Sequence, residues 1–225
     1  MLKMQSQNHQ IWEELLTTHV SISGEVDYPA FVKQQEKLKA YLSSLSKNPP
    51  QNNWSEAKKK AYLINVYNAF TVQLIIENYP LESIKDIGGI WSSPFKKKFI
   101  KLGNETYSLD EIEKDMLLKI GDARVHFAIN CASYSCPKLH HQAFTASNIE
   151  EKLEQLTSAF INDTKLNSIR KDQAELSKIF KWYKSDFEDE AGSLIEFINR
   201  YAEEKISSDA KISYKEYNWS LNEKR

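Results

Sequence analysis

Apolar residues recur at helical spacing along much of the chain. Ile11, Trp12, Leu15, Leu16 and Val20 fall on one face, and Gly24 follows where such a helix would stop. Asp27 can cap a second helix with Pro29 in its first turn; Phe31, Leu38, Tyr41, Leu42 and Leu45 line it until Pro49-Pro50. Ser55 can cap a third run, Glu56 to about Asn78, that is almost wholly apolar from Ala61 to Ile76 and closed by Pro80. A helix apolar on all sides is a buried one, so this run predicts the central helix.

The stretch from Gly88-Gly89 to Phe95 reads as a loop, and Phe99 to Tyr107 as a short hairpin turning at Gly103-Asn104. Ser108-Leu-Asp-Glu111 has capping-box spacing and opens a helix with Ile112, Met116 and Ile120 inward and Gly121 as its stop. Val125-His-Phe-Ala-Ile-Asn130 is β-prone and predicts an interior strand. A second capping box, Ser147 to Glu150, starts a helix with Ile149, Leu153, Leu156 and Phe160 on one side. Leu166 to Arg170 and Ala174 to Ser177 suggest a hairpin, Ile179 to Phe187 and Ser193 to Glu204 suggest helices, and Ile212 to Trp219 is too irregular for one clean strand. These elements interleave. They predict an α+β fold, a predominantly helical single domain over residues 1–225 with a small β-sheet packed on a long buried central helix.

With 225 residues, 41% of them hydrophobic, the chain can bury roughly 70% of its unfolded surface without a structural staple. Thirty basic against thirty-one acidic residues leave a net charge of −1, which supplies no field for nucleic acid or anionic lipid. The start, Met1 to His9, lacks the apolar core of a signal peptide, and no segment reaches a spanning length of about 20 apolar residues. As written the chain reads as soluble and cytoplasmic, or periplasmic or extracellular if a signal has been removed. Lys58 to Lys60 and Lys96 to Lys98 read as solvated faces.

The densest chemistry lies between His126 and Pro137, where His126, Asn130, Cys131 and Cys136 fall within eleven residues. On a strand, the period of two puts His126 and Asn130 on one face, with Cys131 at the start of the loop. An imidazole can take a thiol's proton, and an amide can orient that imidazole or donate to an oxyanion. Two cysteines are too few for a disulfide framework, although they can pair with each other or only brace the loop. A zinc site from Cys131, Cys136 and His140 or His141 lacks a fourth ligand and a familiar spacing, so no metal and no cofactor are expected. On the central helix, Asn65 and Asn68 share one face of an apolar surface, and buried amides need partners. Their face is therefore expected against the segment from His126 to Cys136. Glu113, and Asp186 between aromatic residues, are further polar candidates.

Five segments together resemble the domain-of-unknown-function family 547: Gly24-Glu-Val-Asp-Tyr28, Ala61-Tyr-Leu-Ile-Asn-Val-Tyr-Asn-Ala69, Ser108-Leu-Asp-Glu-Ile-Glu113, His126 through Pro137, and Leu176-Ser-Lys-Ile-Phe180. The likeness covers about residues 11–220 and implies a stand-alone copy of a domain that plants join to an N-terminal coiled coil. Its recurring polar positions correspond to Asn65, Asn68, Glu113, His126, Asn130, Cys131 and Cys136, with Lys114 where the family normally has His. It implies no activity. Two functions fit the residues: a cysteine-dependent hydrolase or acyl transferase with Cys131 as nucleophile, His126 as base and Asn130 as orienter or oxyanion donor, or a non-catalytic module binding a peptide or small molecule.

Overall fold

The computed structural model describes residues 9–88 and 92–224. The reading of Met1 to Asn8, and residues 89–91 of the expected loop, lie outside the described residues. Helix α1 (Gln10–His19) buries Trp12, Leu15 and Leu16. The next expected helix is two: α2 (Tyr28–Lys33), whose Asp27 cap accepts from the Ala30 N–H, and α3 (Gln35–Lys47), with Gln34 leaving helical geometry between them. This break lets Phe31 and Tyr41 both face the first core. Helix α4 (Glu56–Glu77) starts at Ser55, whose Oγ accepts from the Lys58 N–H, and every residue from Lys60 to Ile76 is buried. Lys60 thus departs from the solvated face expected of it. Its Nζ pairs with Asp122 (2.8 Å) and Glu150 (2.5 Å).

Strands β1 (Ile100–Leu102) and β2 (Glu105–Tyr107) form the expected hairpin, and Ile100 and Leu102 join the core around α4. Gly103 turns it with φ of +62°, a conformation that favours glycine. The Ser108–Glu111 capping box is present, but the helix beyond it is a π-helix, Glu111–Leu117, followed by a 3-10 turn ending at left-handed Gly121. Such wide turns recur at functional sites, and this one carries the buried Glu113.

The predicted strand from Val125 to Asn130 is absent. Residues Ala123–Phe127 form a 3-10 turn instead, initiated by Asp122, whose carboxylate accepts from both the backbone and the side chain of Arg124. Asn68 then takes the Ala128 carbonyl and the Asn130 N–H, which a sheet would otherwise use. Helix α5 (Ile149–Ile161) forms without the Ser147 box, because Asn148 accepts from the Thr145 N–H and Ser147 meets only Thr145 Oγ1.

A three-stranded sheet pairs β3 (Ser168–Ile169) antiparallel with β4 (Gln173–Leu176) and β4 parallel with β5 (Lys211–Tyr214). The helix expected over Ile179 to Phe187 is broken at Tyr183 into α6 (Ile179–Trp182) and α7 (Lys184–Ala191), and α8 (Leu194–Tyr201) follows. A second core gathers here around Phe127, Phe160, Phe180, Phe187 and Phe197. After β5 the chain returns to the N-terminal half, where Asn222 accepts from the Tyr28 hydroxyl and Leu221 N–H donates to Glu82. The result is one compact, helix-dominated α+β domain, and among the described residues no helix is long and apolar enough to cross a membrane.

Candidate functional site

The cysteine loop is held by amides. Asn130 Nδ2 donates to the Pro137 carbonyl (2.7 Å) and its Oδ1 accepts from the Ala132 N–H (2.9 Å). Ala132 consequently adopts φ of +60°. From α4, Asn68 Nδ2 donates to Ala128 O and Asn68 Oδ1 accepts from Asn130 N, while Asn65 makes the same two-way clasp on Phe144, beyond the loop. The α4 face therefore does meet this segment through Asn68. Asn130 is committed to shaping the loop.

Cys131 emerges half-buried, and its backbone N–H donates to the Cys136 sulfur (2.9 Å). Its Sγ lies 3.0 Å from Ser133 Oγ and 3.2 Å from the Tyr217 hydroxyl, which are themselves 2.8 Å apart. Burial opposes ionisation of this thiol, but hydrogen bonding to Cys136, Ser133 and Tyr217 outweighs it and holds the pKa below the ordinary cysteine value. Cys136 shifts the other way, because it is buried and faces the developing charge on Cys131. Both cysteines are free.

His126 is buried, and its Nε2 lies 2.7 Å from Asp186 Oδ2 on α7. The hydrogen bond to His126 keeps the Asp186 carboxyl below its usual pKa, so Asp186 is an acceptor and Nε2 carries the proton. Nδ1 has no hydrogen-bond partner. The ring packs against Tyr183, centroids 3.9 Å apart, and the Tyr183 hydroxyl donates to Glu113 Oε1 at 2.5 Å. Burial raises the Glu113 pKa despite that hydrogen bond.

A cavity of about 230 Å³ joins these groups; its lining includes Glu113, His126, Cys131, Cys136, Tyr183 and Tyr217. Four expected site residues thus share one space. Asn65, Asn68 and Asn130 stand behind it. The thiol's hydrogen-bond partners include the Ser133 and Tyr217 hydroxyls, and Asp186, not Asn130, orients the imidazole. Tyr183 and Tyr217 had no signal of their own in the sequence beyond their place in aromatic stretches, since α7 and the returning tail reach the site only through the fold. Among the described residues, no group of three or more His, Cys, Asp or Glu side chains is placed to hold a metal ion.

Residues 51–161 match the profile of a family described as a protein of unknown function, DUF547. The chain belongs to that family. The DUF547 match contains Asn65, Asn68, Glu113, His126, Asn130, Cys131 and Cys136, whereas Tyr217, which lines the cavity, and Asp186, which bonds His126 from behind it, lie C-terminal to the match. Comparison with curated proteins found no match, nor did comparison with solved structures.

Proposed function

We propose that this DUF547 protein performs thiol-dependent acyl transfer or hydrolysis in the cavity shared by Cys131 and His126. The observation that carries the reading is a thiol bonded to the Ser133 and Tyr217 hydroxyls and an imidazole oriented by Asp186, one nitrogen of which has no partner among the described residues, lining the same cavity. Cys131 Sγ attacks the carbonyl carbon of a bound ester, thioester or amide. The thiol proton passes to His126 Nδ1 and from there to the leaving alcohol, thiol or amine as the tetrahedral intermediate collapses to a thioester on Cys131. Water or an acceptor amine then attacks that thioester, His126 takes its proton, and the thiol is regenerated. Ser133 and Tyr217 supply hydroxyl donors for the sulfur anion and the oxyanion.

The test is the pH dependence of alkylation by iodoacetamide, read at Cys131 by peptide mass, together with acylation by p-nitrophenyl acetate. The expected midpoint lies below about 8.5 and rises in Tyr217→Phe; an ordinary midpoint with no acyl-Cys131 would remove the proposal. One feature favours a pure binding module instead: the Cys131 and Ala132 N–H groups are already occupied and leave no backbone oxyanion hole. Under that reading Cys131→Ser retains ligand capture and no turnover exists to lose.

A further inference from the structure

The cavity has a marked charge and shape character. Among the described residues no lysine or arginine lines it, while two carboxyls, Asp110 and Glu113, do. Asp110 is already matched by Lys114, 3.1 Å away. Among the described residues Glu113 makes no ion pair: it is 4% exposed, it accepts from the neutral Tyr183 hydroxyl, and Lys114, the cation close enough to act on it, is already engaged by Asp110. A buried carboxylate with no cation bonded to it is costly unless something else supplies the charge.

Part of the cavity wall is aromatic. Trp182, Tyr217 and Trp219 pack on one another with centroids 4.6 to 5.9 Å apart, and all three line the cavity. Trp219 already holds one cation, with Lys85 Nζ 4.9 Å from its ring centroid. Aromatic faces attract ammonium and guanidinium groups and pack well against their methylenes. His126 also lines the cavity, and its buried Nδ1 has no hydrogen-bond partner among the described residues.

We propose that the cavity recognises a positively charged group of its ligand, an alkylammonium or guanidinium, with Glu113 as the counter-charge and the Trp182, Tyr217 and Trp219 rings as the wall that packs its alkyl stem. Given the acyl-transfer reading above, on which this assignment of the cation rests, the charge belongs to the substrate of Cys131. The binding itself needs no chemistry at the thiol.

The experiment compares modification of Cys131 by 2-aminoethyl methanethiosulfonate, a cation, and 2-sulfonatoethyl methanethiosulfonate, an anion. Each rate is normalised to that with free 2-mercaptoethanol. In both reactions the thiolate displaces methanesulfinate and forms a disulfide, so the ratio of rates cancels the thiol pKa and reports only the field and fit of the cavity. A preference of about tenfold or more for the cation is expected, falling to about threefold or less in Glu113→Gln. Trp182 is 46% exposed, so Trp182→Leu offers a variant whose folding is not at stake. It should weaken the protection of Cys131 by n-butylammonium chloride, while n-pentanol protects poorly in every form. A ratio near one, or a ratio and protection unchanged in both variants, would overturn the cation site and leave the thiol chemistry standing. An ordinary thiol midpoint accompanied by the full charge preference would do the reverse.

Discussion

His126 and Asp186 are sixty residues apart in sequence, and the hydrogen bond between them decides which ring nitrogen is free. Asp186→Asn keeps the shape but can present an N–H to Nε2, which would move the ring proton to Nδ1 and remove the base. Acylation of Cys131 by p-nitrophenyl acetate is expected to slow by on the order of 10²- to 10⁴-fold, with unfolding by urea little changed. Glu113 makes a contrasting prediction at the same scale. Burial raises its folded pKa above the unfolded value, so its favourable contribution is fully present below the unfolded pKa and is lost as pH rises through the folded one. At neutral pH its charge therefore costs stability. Glu113→Gln, which keeps an acceptor for Tyr183, should raise the melting temperature at pH 7 and lose that advantage near pH 4, while charge selectivity at Cys131 falls. A melting temperature unchanged at both values would mean the carboxylate is better solvated than its burial indicates.

At the scale of elements, the cysteine loop stands because α4 substitutes side-chain amides for the strand partners that the loop lacks. Asn68→Leu would orphan both the Ala128 carbonyl and the Asn130 N–H, and a loss of about 2–5 kcal/mol in urea unfolding is expected, with faster alkylation of Cys131. Ala132 tests the loop itself. At φ of +60° a β-branched residue is disfavoured, so Ala132→Val should cost more than about 2 kcal/mol, whereas Ala132→Gly stays within about 1 kcal/mol of the parent. This dependence on long-range partners explains what the sequence made legible. The buried face of α4 and the need of Asn65 and Asn68 for partners follow from local pattern, as does the hairpin at Gly103. Val125 to Asn130 is locally β-prone, yet Asp122 folds Arg124 back on one side and Asn68 takes the backbone groups on the other, so the strand is never made. Tyr183 breaks its helix where its ring must meet His126, a tertiary demand that no apolar period encodes.

Across the whole molecule, the turn bearing His126 is tied to both α4 and α5 by one charged network. Lys60 from α4, Asp122 and Arg124 from the turn and Glu150 from α5 meet within 2.5 to 2.8 Å, and the Lys60 and Asp122 side chains are only 4% and 10% exposed. Removing one member of a buried network costs more than the net worth of the network, because the remaining charges stay desolvated. Asp122→Asn, whose amide oxygen can still accept from the Arg124 N–H, is therefore expected to lose about 3–5 kcal/mol and to loosen the His126 turn. The pH dependence has the sign opposite to that of Glu113. Burial acts to raise the Asp122 pKa, but Arg124 and Lys60 outweigh it and hold the value low, so the stability it lends is present above the unfolded carboxylate pKa and disappears as pH falls through the folded one. Urea unfolding at pH 7 and pH 3 should show a large gap between parent and Asp122→Asn at the higher pH that narrows at the lower. If the gap were the same at both values, the variant would be acting through something other than the lost charge, and the network would contribute nothing to holding His126 in place.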